Sequence, residues 1–251
     1  MSLKQYRYIQ GLVMILLGAF LLEKVISGKL DWYIHQRFMP LTVMAIIALL
    51  MIGIAVLFQA RRTILDEHDD DHDDQHEHDH APSLWRLAII VIPLIIGILI
   101  PAKPLSADAM SSGKGVSGSA PIISNSSAAV KFDQAADERN ILDWTRLFNS
   151  GDDPGTYLGQ SANVIGFVYH DPRLKDGQFL VSRFALVCCT ADAFALGMVV
   201  DWPQSSKLPN DQWIKVKGPV QTTDLDTHKM PLIQATSVEA VQQPDQPYLF
   251  P

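Results

Sequence analysis

The chain has 251 residues, a formal charge of −7 at neutral pH and 48% hydrophobic residues. Nine of its 27 acidic residues fall in one fifteen-residue tract, so the negative balance is local, and it argues against a nucleic-acid partner. Only two cysteines occur, adjacent at Cys188 and Cys189, which excludes a disulfide-stapled secreted scaffold and a paired Cys-x-x-Cys zinc framework.

Residues 1–102 hold nearly all the long apolar runs, residues 103–130 are small and polar, and residues 131–251 have globular composition. Three stretches predict transmembrane helices. Residues 9–22 are apolar apart from Gln10 and glycines, and the span extends to Ile26 past Glu23 and Lys24. A signal peptide is the rival reading, since Lys4 and Arg7 precede the stretch, but no small-x-small cleavage site follows before Glu23. Residues 38–58 carry no charge, and at a rise of 1.5 Å per residue they cross a hydrocarbon core of roughly 30 Å. Residues 84–102 form the third candidate, with Pro93 as a predicted kink. This run has no polar face, and a helix apolar all round is a membrane span or the centre of a core larger than this chain can build.

Between the second and third spans, residues 66–80 place five histidines and nine carboxylates in fifteen positions. Imidazole nitrogen and carboxylate oxygen are borderline ligands that suit zinc, and a tract of repeated His-Asp and His-Glu pairs offers several geometries without a fixed fold. His68, His72, His76, His78, His80, Asp70 and Asp74 are the candidate ligands, holding Zn²⁺ or another divalent ion weakly. The bland alternative is a solvated acidic spacer. The bias of Lys and Arg sets the orientation: Lys4, Arg7, Arg61, Arg62 and Arg86 against Lys24, Lys29, Arg37 and Lys103. A cytoplasmic N-terminus and His/Asp loop, with an extracytoplasmic C-terminal domain, is the expected topology in a bacterial inner membrane.

Residues 103–130, rich in Ser, Gly and Ala, predict a flexible stalk. A helix follows over residues 137–148, with Ile141, Trp144, Leu147 and Phe148 at helical spacing and Gly151 beyond its end. Then the period changes to two. Strands are predicted over residues 161–170, 178–189, 195–200, 213–222 and 231–241, the first two joined as a hairpin through Asp171-Pro172 and Asp176-Gly177. Five strands behind one helix predict an all-β domain of the OB type, a five-stranded, partly open Greek-key barrel, with a β-sandwich fragment as the other reading.

Three readings compete for the tandem cysteines: buried structural residues, a metal or redox site with Asp192 nearby, and a vicinal disulfide. Strand alternation sends Cys188 and Cys189 to opposite faces, so both can serve one ion only where the strand breaks, and Thr190-Ala191-Asp192 looks like such a break. Asp192 has its own bland reading as a turn residue bonding nearby backbone. The isolated His35, His170 and His228 read as surface or turn residues, with His170 kept as a weak candidate.

The order of short multi-span region, His/Asp loop and C-terminal domain, together with four motifs, resembles a bacterial membrane-protein family. The motifs are Gly166-Phe-Val-Tyr, Arg183-Phe-x-x-x-Cys-Cys-x-Ala-Asp-Ala, Trp213-Ile-Lys-Val-Lys-Gly and Gln246-Pro-Tyr-Leu-Phe. Its members are described as repeat proteins or domains of unknown function and are typically encoded beside a predicted multi-span permease. The resemblance covers essentially the whole chain. It implies a permease partner and an association with metal, especially zinc, homeostasis, and it implies no catalytic activity.

Two functions follow as expectations. The first is an accessory subunit, embedded in membrane lipid, that docks with a permease while its loop collects or senses a divalent metal ion. Three spans are too few for an alternating-access path, and no Asp, Glu or Arg sits at the centre of a span to mark an ion route. The alternative is a membrane-anchored thiol redox or thiolate enzyme using the tandem cysteines. Against it, the chain has no phosphate-binding glycine loop, no His-Glu-x-x-His helix and no recognisable nucleophile arrangement, so it is not read as an enzyme.

Overall fold

The computed structural model describes residues 3–62, 84–114, 116, 134–149, 154–225 and 228–251. Two compact units divide the chain, Met1–Lys103 and Pro104–Pro251.

The first unit contains α1 (Leu3–Ile26), α2 (Met39–Arg62) and α3 (Leu84–Leu99). Gly28 ends α1 in the left-handed conformation, at φ 69°, which an L side chain adopts only at a cost. Two short 3-10 turns then lead into α2. In the second of them His35 accepts a hydrogen bond from the Arg37 amide at 2.9 Å, so His35 serves a turn. α1 and α2 pack through glycine. A Cβ at Gly53 would lie 2.8 Å from Ile15 Cγ1 and 3.2 Å from the Gly11 carbonyl oxygen, so the two backbones approach as helices do in lipid, through small residues. The outer faces are apolar and exposed, with Leu41, Met44, Met51 and Phe58 all more than half accessible. Among the described residues, two helical stretches, Gln5–Ile26 and Gln36–Arg61, are long and apolar enough to cross a membrane. The third expected span is a helix of 16 residues, about 24 Å long, with Pro93 inside it and Gly97 against the Phe20 ring of α1.

The second unit begins earlier than its composition suggests. Residues 103–130 read as a stalk, yet Ala107, Met110 and Val116 are buried, and the short helical turn α4 (Ala107–Ala109) is fixed to the sheet domain. The Ala107 amide donates to Asp211 Oδ1 at 2.6 Å and the Leu105 amide to the Tyr248 hydroxyl at 2.8 Å. Asp211 itself stands in the left-handed region, at φ 66°. Three apolar anchors among small residues fix the described part of this segment once a surface exists to receive them.

α5 (Ile141–Asn149) is shorter than the expected helix and starts at a cap. Asn140 Oδ1 accepts from the amides of Leu142 and Asp143, and Asp143 Oδ2 accepts from the Asn140 amide. Its apolar face buries Ile141, Leu142, Trp144 and Leu147 in the main core.

The sheet strands are β1 (Ser161–Tyr169), β2 (Gln178–Ala185), β3 (Phe194–Asp201), β4 (Trp213–Leu225), β5 (His228–Gln234) and β6 (Ser237–Ala240). Pairings run β1-β2-β3-β5-β4 and return from β4 to β1, with β3–β5 parallel and the other pairs antiparallel. Among the described residues, six strands replace the five expected. The predicted strand over residues 231–241 divides at Ala235-Thr236, where the Thr236 amide and hydroxyl both donate to the Lys217 carbonyl. β4, with 13 residues, is long enough to hold β5 by its second half and β6 by its first. The predicted second strand, 178–189, ends four residues early at Ala185.

Trp144 is fully buried beneath the sheet, with the Arg139 guanidinium 5.2 Å from its ring centre. Trp144→Ala should cost about 3–5 kcal/mol through lost transfer energy and the cavity left behind. Urea unfolding of the full chain in detergent, followed by circular dichroism, measures this, and a loss under about 1 kcal/mol would contradict the core assignment.

Candidate functional site

β2 stops at Ala185 because the chain finds other partners there. One carboxylate gathers the next amides: Val187 donates to Asp192 Oδ1 at 3.1 Å, and Cys188 and Cys189 donate to Asp192 Oδ2 at 2.8 and 3.3 Å. A short 3-10 turn, Thr190–Asp192, returns the carboxylate to face those amides, and the Asp192 amide bonds the Cys189 carbonyl at 3.1 Å. The break anticipated at Thr190-Ala191-Asp192 is therefore present, and both cysteines leave the strand before alternation can separate them.

The two are free thiols, Cys188 exposed and Cys189 half-buried, with sulfurs 3.8 Å apart. That separation is far beyond the ~2.05 Å of a disulfide. Neither thiol is a core residue. Among the described residues one group of His, Cys, Asp or Glu brings three ligand atoms within 4.8 Å of one another: Cys188, Cys189 and Asp192. Asp192 fills its turn role as well, since its carboxylate is committed to three amides.

The charges follow from this geometry. Burial pulls the Asp192 carboxyl up, but the Cys188 thiol and the three amides outweigh it and leave the group below its ordinary value. Cys188 is pushed up to about 11, first by its hydrogen bond to Asp192 and then by Cys189. A thiol so placed stays protonated at neutral pH, the reverse of the activation a nucleophilic cysteine needs.

Sequence reasoning missed the clamp behind this loop. Arg183, two residues before the end of β2, donates from Nε to the Pro247 carbonyl at 3.0 Å and from Nη2 to the Gln246 carbonyl at 2.5 Å. The tail then runs beside β2 past the point where β1 stops pairing. The Leu249 amide donates to the Phe184 carbonyl at 2.9 Å, and the Leu186 amide to the Leu249 carbonyl at 3.0 Å. Burial draws Arg183 down to about 10, which still leaves it charged at neutral pH, and its guanidinium lies 5.7 Å from the Trp213 ring centre. Phe167 stacks on Phe184 and meets Trp213 edge-on, each at 5.9 Å. Gly166 is required beside them, because a Cβ there would lie 2.6 Å from the Ser182 carbonyl oxygen. The four sequence motifs thus meet in one place, and their shared task is to hold the end of β2. The signal was available in the pairing of a buried-strand Arg with a Pro-containing terminal motif, but spacing alone does not join residues 60 positions apart.

His68, His72, His76, His78, His80, Asp70 and Asp74 lie outside the described residues. His170 lies with Nε2 2.7 Å from the Leu208 carbonyl, so that nitrogen carries the proton and donates. Its role is structural.

Residues 9–117 match the DUF1980 N-terminal domain and residues 137–251 match the DUF1980 C-terminal domain. The chain carries both DUF1980 domains, in that order. Two relatives support the assignment. A Streptococcus mutans protein named "Putative two-component membrane permease complex subunit" is 23% identical over 260 residues, covering 90% of this chain and 92% of that protein. The UPF0703 protein YcgQ of Bacillus subtilis is 30% identical over 99 residues, 39% of this chain and 35% of its own length, so this match spans about a third of that relative. Among solved structures, the small single-stranded DNA-binding protein from Streptomyces coelicolor aligns with 33% of this chain and 93% of its own at 11% identity and a TM-score of 0.23, a likeness too slight to bear on fold or function.

Two substitutions separate the clamp from the loop it supports. Arg183→Met leaves the Gln246 and Pro247 carbonyls without their charged donor and should cost roughly 2 kcal/mol or more, with the tail becoming the first site of limited proteolysis. Arg183→Lys should rescue this only in part, since an ammonium lacks the planar fork that serves two carbonyls at once. Asp192→Ala should act locally, speeding amide hydrogen exchange at Val187, Cys188 and Cys189 by about tenfold while costing about 1 kcal/mol overall. Unchanged exchange at these amides would remove Asp192 as their organiser.

Proposed function

We propose that this DUF1980 protein is an accessory subunit of a membrane permease, anchored by its N-terminal helices and handling a divalent metal ion of the zinc type. The observation that carries the reading is the nearly full-length match to the relative named as a subunit of a two-component membrane permease complex. Exposed apolar faces on α1 and α2 support membrane insertion, because a surface of that extent is stable only against lipid or another protein. In this reading α3, extended through residues 100–102, is the third span, and the N-terminus and His/Asp loop are cytoplasmic. The C-terminal domain is a barrel of the OB type on the other side, a reading supported by strand pairings that return from β4 to β1. The tract at residues 66–80 raises the local metal concentration beside the permease through many weak ligands. A catalytic role is not part of the proposal, and the protonated Cys188 thiol weighs against the thiol-enzyme alternative.

Co-expression with the multi-span permease that the family resemblance implies, followed by purification through a tag on this chain, should give a complex of fixed stoichiometry. A chain that purifies alone from the same membranes would overturn the partnership. Deleting residues 66–80 should leave the complex assembled and lower its zinc content, and an unchanged content would overturn the loop's role. Because Cys188 and Cys189 are the only thiols, labelling of intact cells with a membrane-impermeant maleimide should modify the chain if the C-terminal domain is extracytoplasmic. Labelling only after lysis would reverse the topology.

A further inference from the structure

The loop that ends β2 sets two sulfurs at a separation that selects a coordination geometry. With metal–thiolate bonds of about 2.3 Å, sulfurs 3.8 Å apart subtend about 111° at a shared ion, taking half the separation over the bond length as the sine of half the angle. The tetrahedral value is about 109°. At the same bond length, octahedral cis ligands would stand about 3.3 Å apart and a linear pair about 4.6 Å apart, so the spacing suits neither. Adjacent cysteines on a regular strand could not achieve this, since their side chains leave opposite faces. Here the strand has ended at Ala185, and the backbone of Val187, Cys188 and Cys189 is pinned to Asp192.

We propose that Cys188 and Cys189 form a two-thiolate chelate for a tetrahedral divalent d10 ion, Zn²⁺ or Cd²⁺, with Asp192 holding the chelate rather than completing it. Binding replaces two S–H bonds with two metal–sulfur bonds and releases two protons to solvent. Asp192 Oδ2 already accepts two amides and Oδ1 one, which leaves the carboxylate little capacity to serve the ion. Among the described residues no fourth His, Cys, Asp or Glu joins the group. A site with two protein ligands is open where structural zinc sites are closed by four. Water or a donor from another protein fills the remaining positions, so the exposed Cys188 edge is suited to receiving an ion and passing it on. The inference deepens the metal-handling reading above and shares with it only the class of ion.

The test is a Cd²⁺ titration of the reduced full chain in detergent, read by the ultraviolet thiolate-to-metal charge-transfer band. The His/Asp tract has no sulfur and is silent in this band, so failure of loop binding and failure of the chelate are separately visible. One Cd²⁺ per chain with a two-thiolate band is expected, and Cys188→Ser and Cys189→Ser should each lower the affinity of that site at least tenfold. The unmodified chain gives the deciding measurement if either variant misfolds. Absence of the band at saturating Cd²⁺ would overturn the proposal, as would unchanged affinity in either folded serine variant. One ion per two chains, with doubled mass, would also overturn it by making the site a four-thiolate bridge.

Discussion

Three consecutive amides, those of Val187, Cys188 and Cys189, converge on the carboxylate of Asp192, and the outer end of the C-terminal unit is organised by that convergence. An amide taken by Asp192 cannot pair with a neighbouring strand, so the ladder with β3 ends at Ala185. Once the ladder ends, two residues that a strand would direct apart share one side of a loop. Their chemistry is then dominated by the same carboxylate. It accepts the Cys188 thiol and repels a thiolate, so Cys188 is pushed up to about 11, while the amides hold Asp192 ionised. Burial is the largest single influence on Asp192, and hydrogen bonding outweighs it only because the Cys188 thiol and three amides act together.

That loop is only as firm as the strand end that carries it, and the firmness comes from the Arg183 clamp. A guanidinium mostly removed from water is costly unless its donors are used. Here they are used on the carbonyls of Gln246 and Pro247, which have no strand partner of their own. The tail in turn supplies a short parallel pairing at Ala185 and Leu249, extending the sheet where β1 has already left β2. Tyr248 adds a second tie by accepting the Leu105 amide, which joins the start of the unit to its end. Loosening the tail should therefore be felt at the cysteines through the end of β2 that carries them.

Much of this unit was legible in the sequence because its periods are clean. Residues 161–165 alternate between buried and partly exposed positions, 178–185 follow the Asp176-Gly177 turn as a run of strand-forming types, and Ile141, Trp144 and Leu147 face one way at helical spacing. The two failures at strand ends share a physical cause. At Ala185 and again at Ala235-Thr236 the residue types remain compatible with a strand, and what ends it is a hydrogen bond made elsewhere, by Asp192 in one case and by the Lys217 carbonyl in the other. Propensity carries no trace of such competition. The start of the unit failed for the opposite reason. Ala107, Met110 and Val116 are too sparse to predict order, because their burial depends on a surface built by residues far along the chain. At the candidate site, residue types pointed to Cys188, Cys189 and Asp192, but only the tertiary structure assigns Asp192 to the backbone and the cysteines to each other.

The N-terminal unit obeys a different constraint. In water, the exposed Leu41, Met44, Met51 and Phe58 would drive association, and the contact between α1 and α2 would be built from bulky residues. Instead the contact sets Gly11, Gly18 and Gly53 against Leu57, Leu50 and Ile15 of the facing helix, while Leu41, Met44, Met51 and Phe58 turn outward. That inversion makes sense where the surroundings are as apolar as the side chains, since association then depends on close backbone approach and dispersion rather than on hiding apolar surface. Glycine packing also leaves the outer faces of α1 and α2 free to meet lipid or a partner's helices without disturbing the pair. An anchor built this way keeps its internal contact whatever apolar surroundings meet its outer faces, which is the mechanical property the proposed accessory role requires.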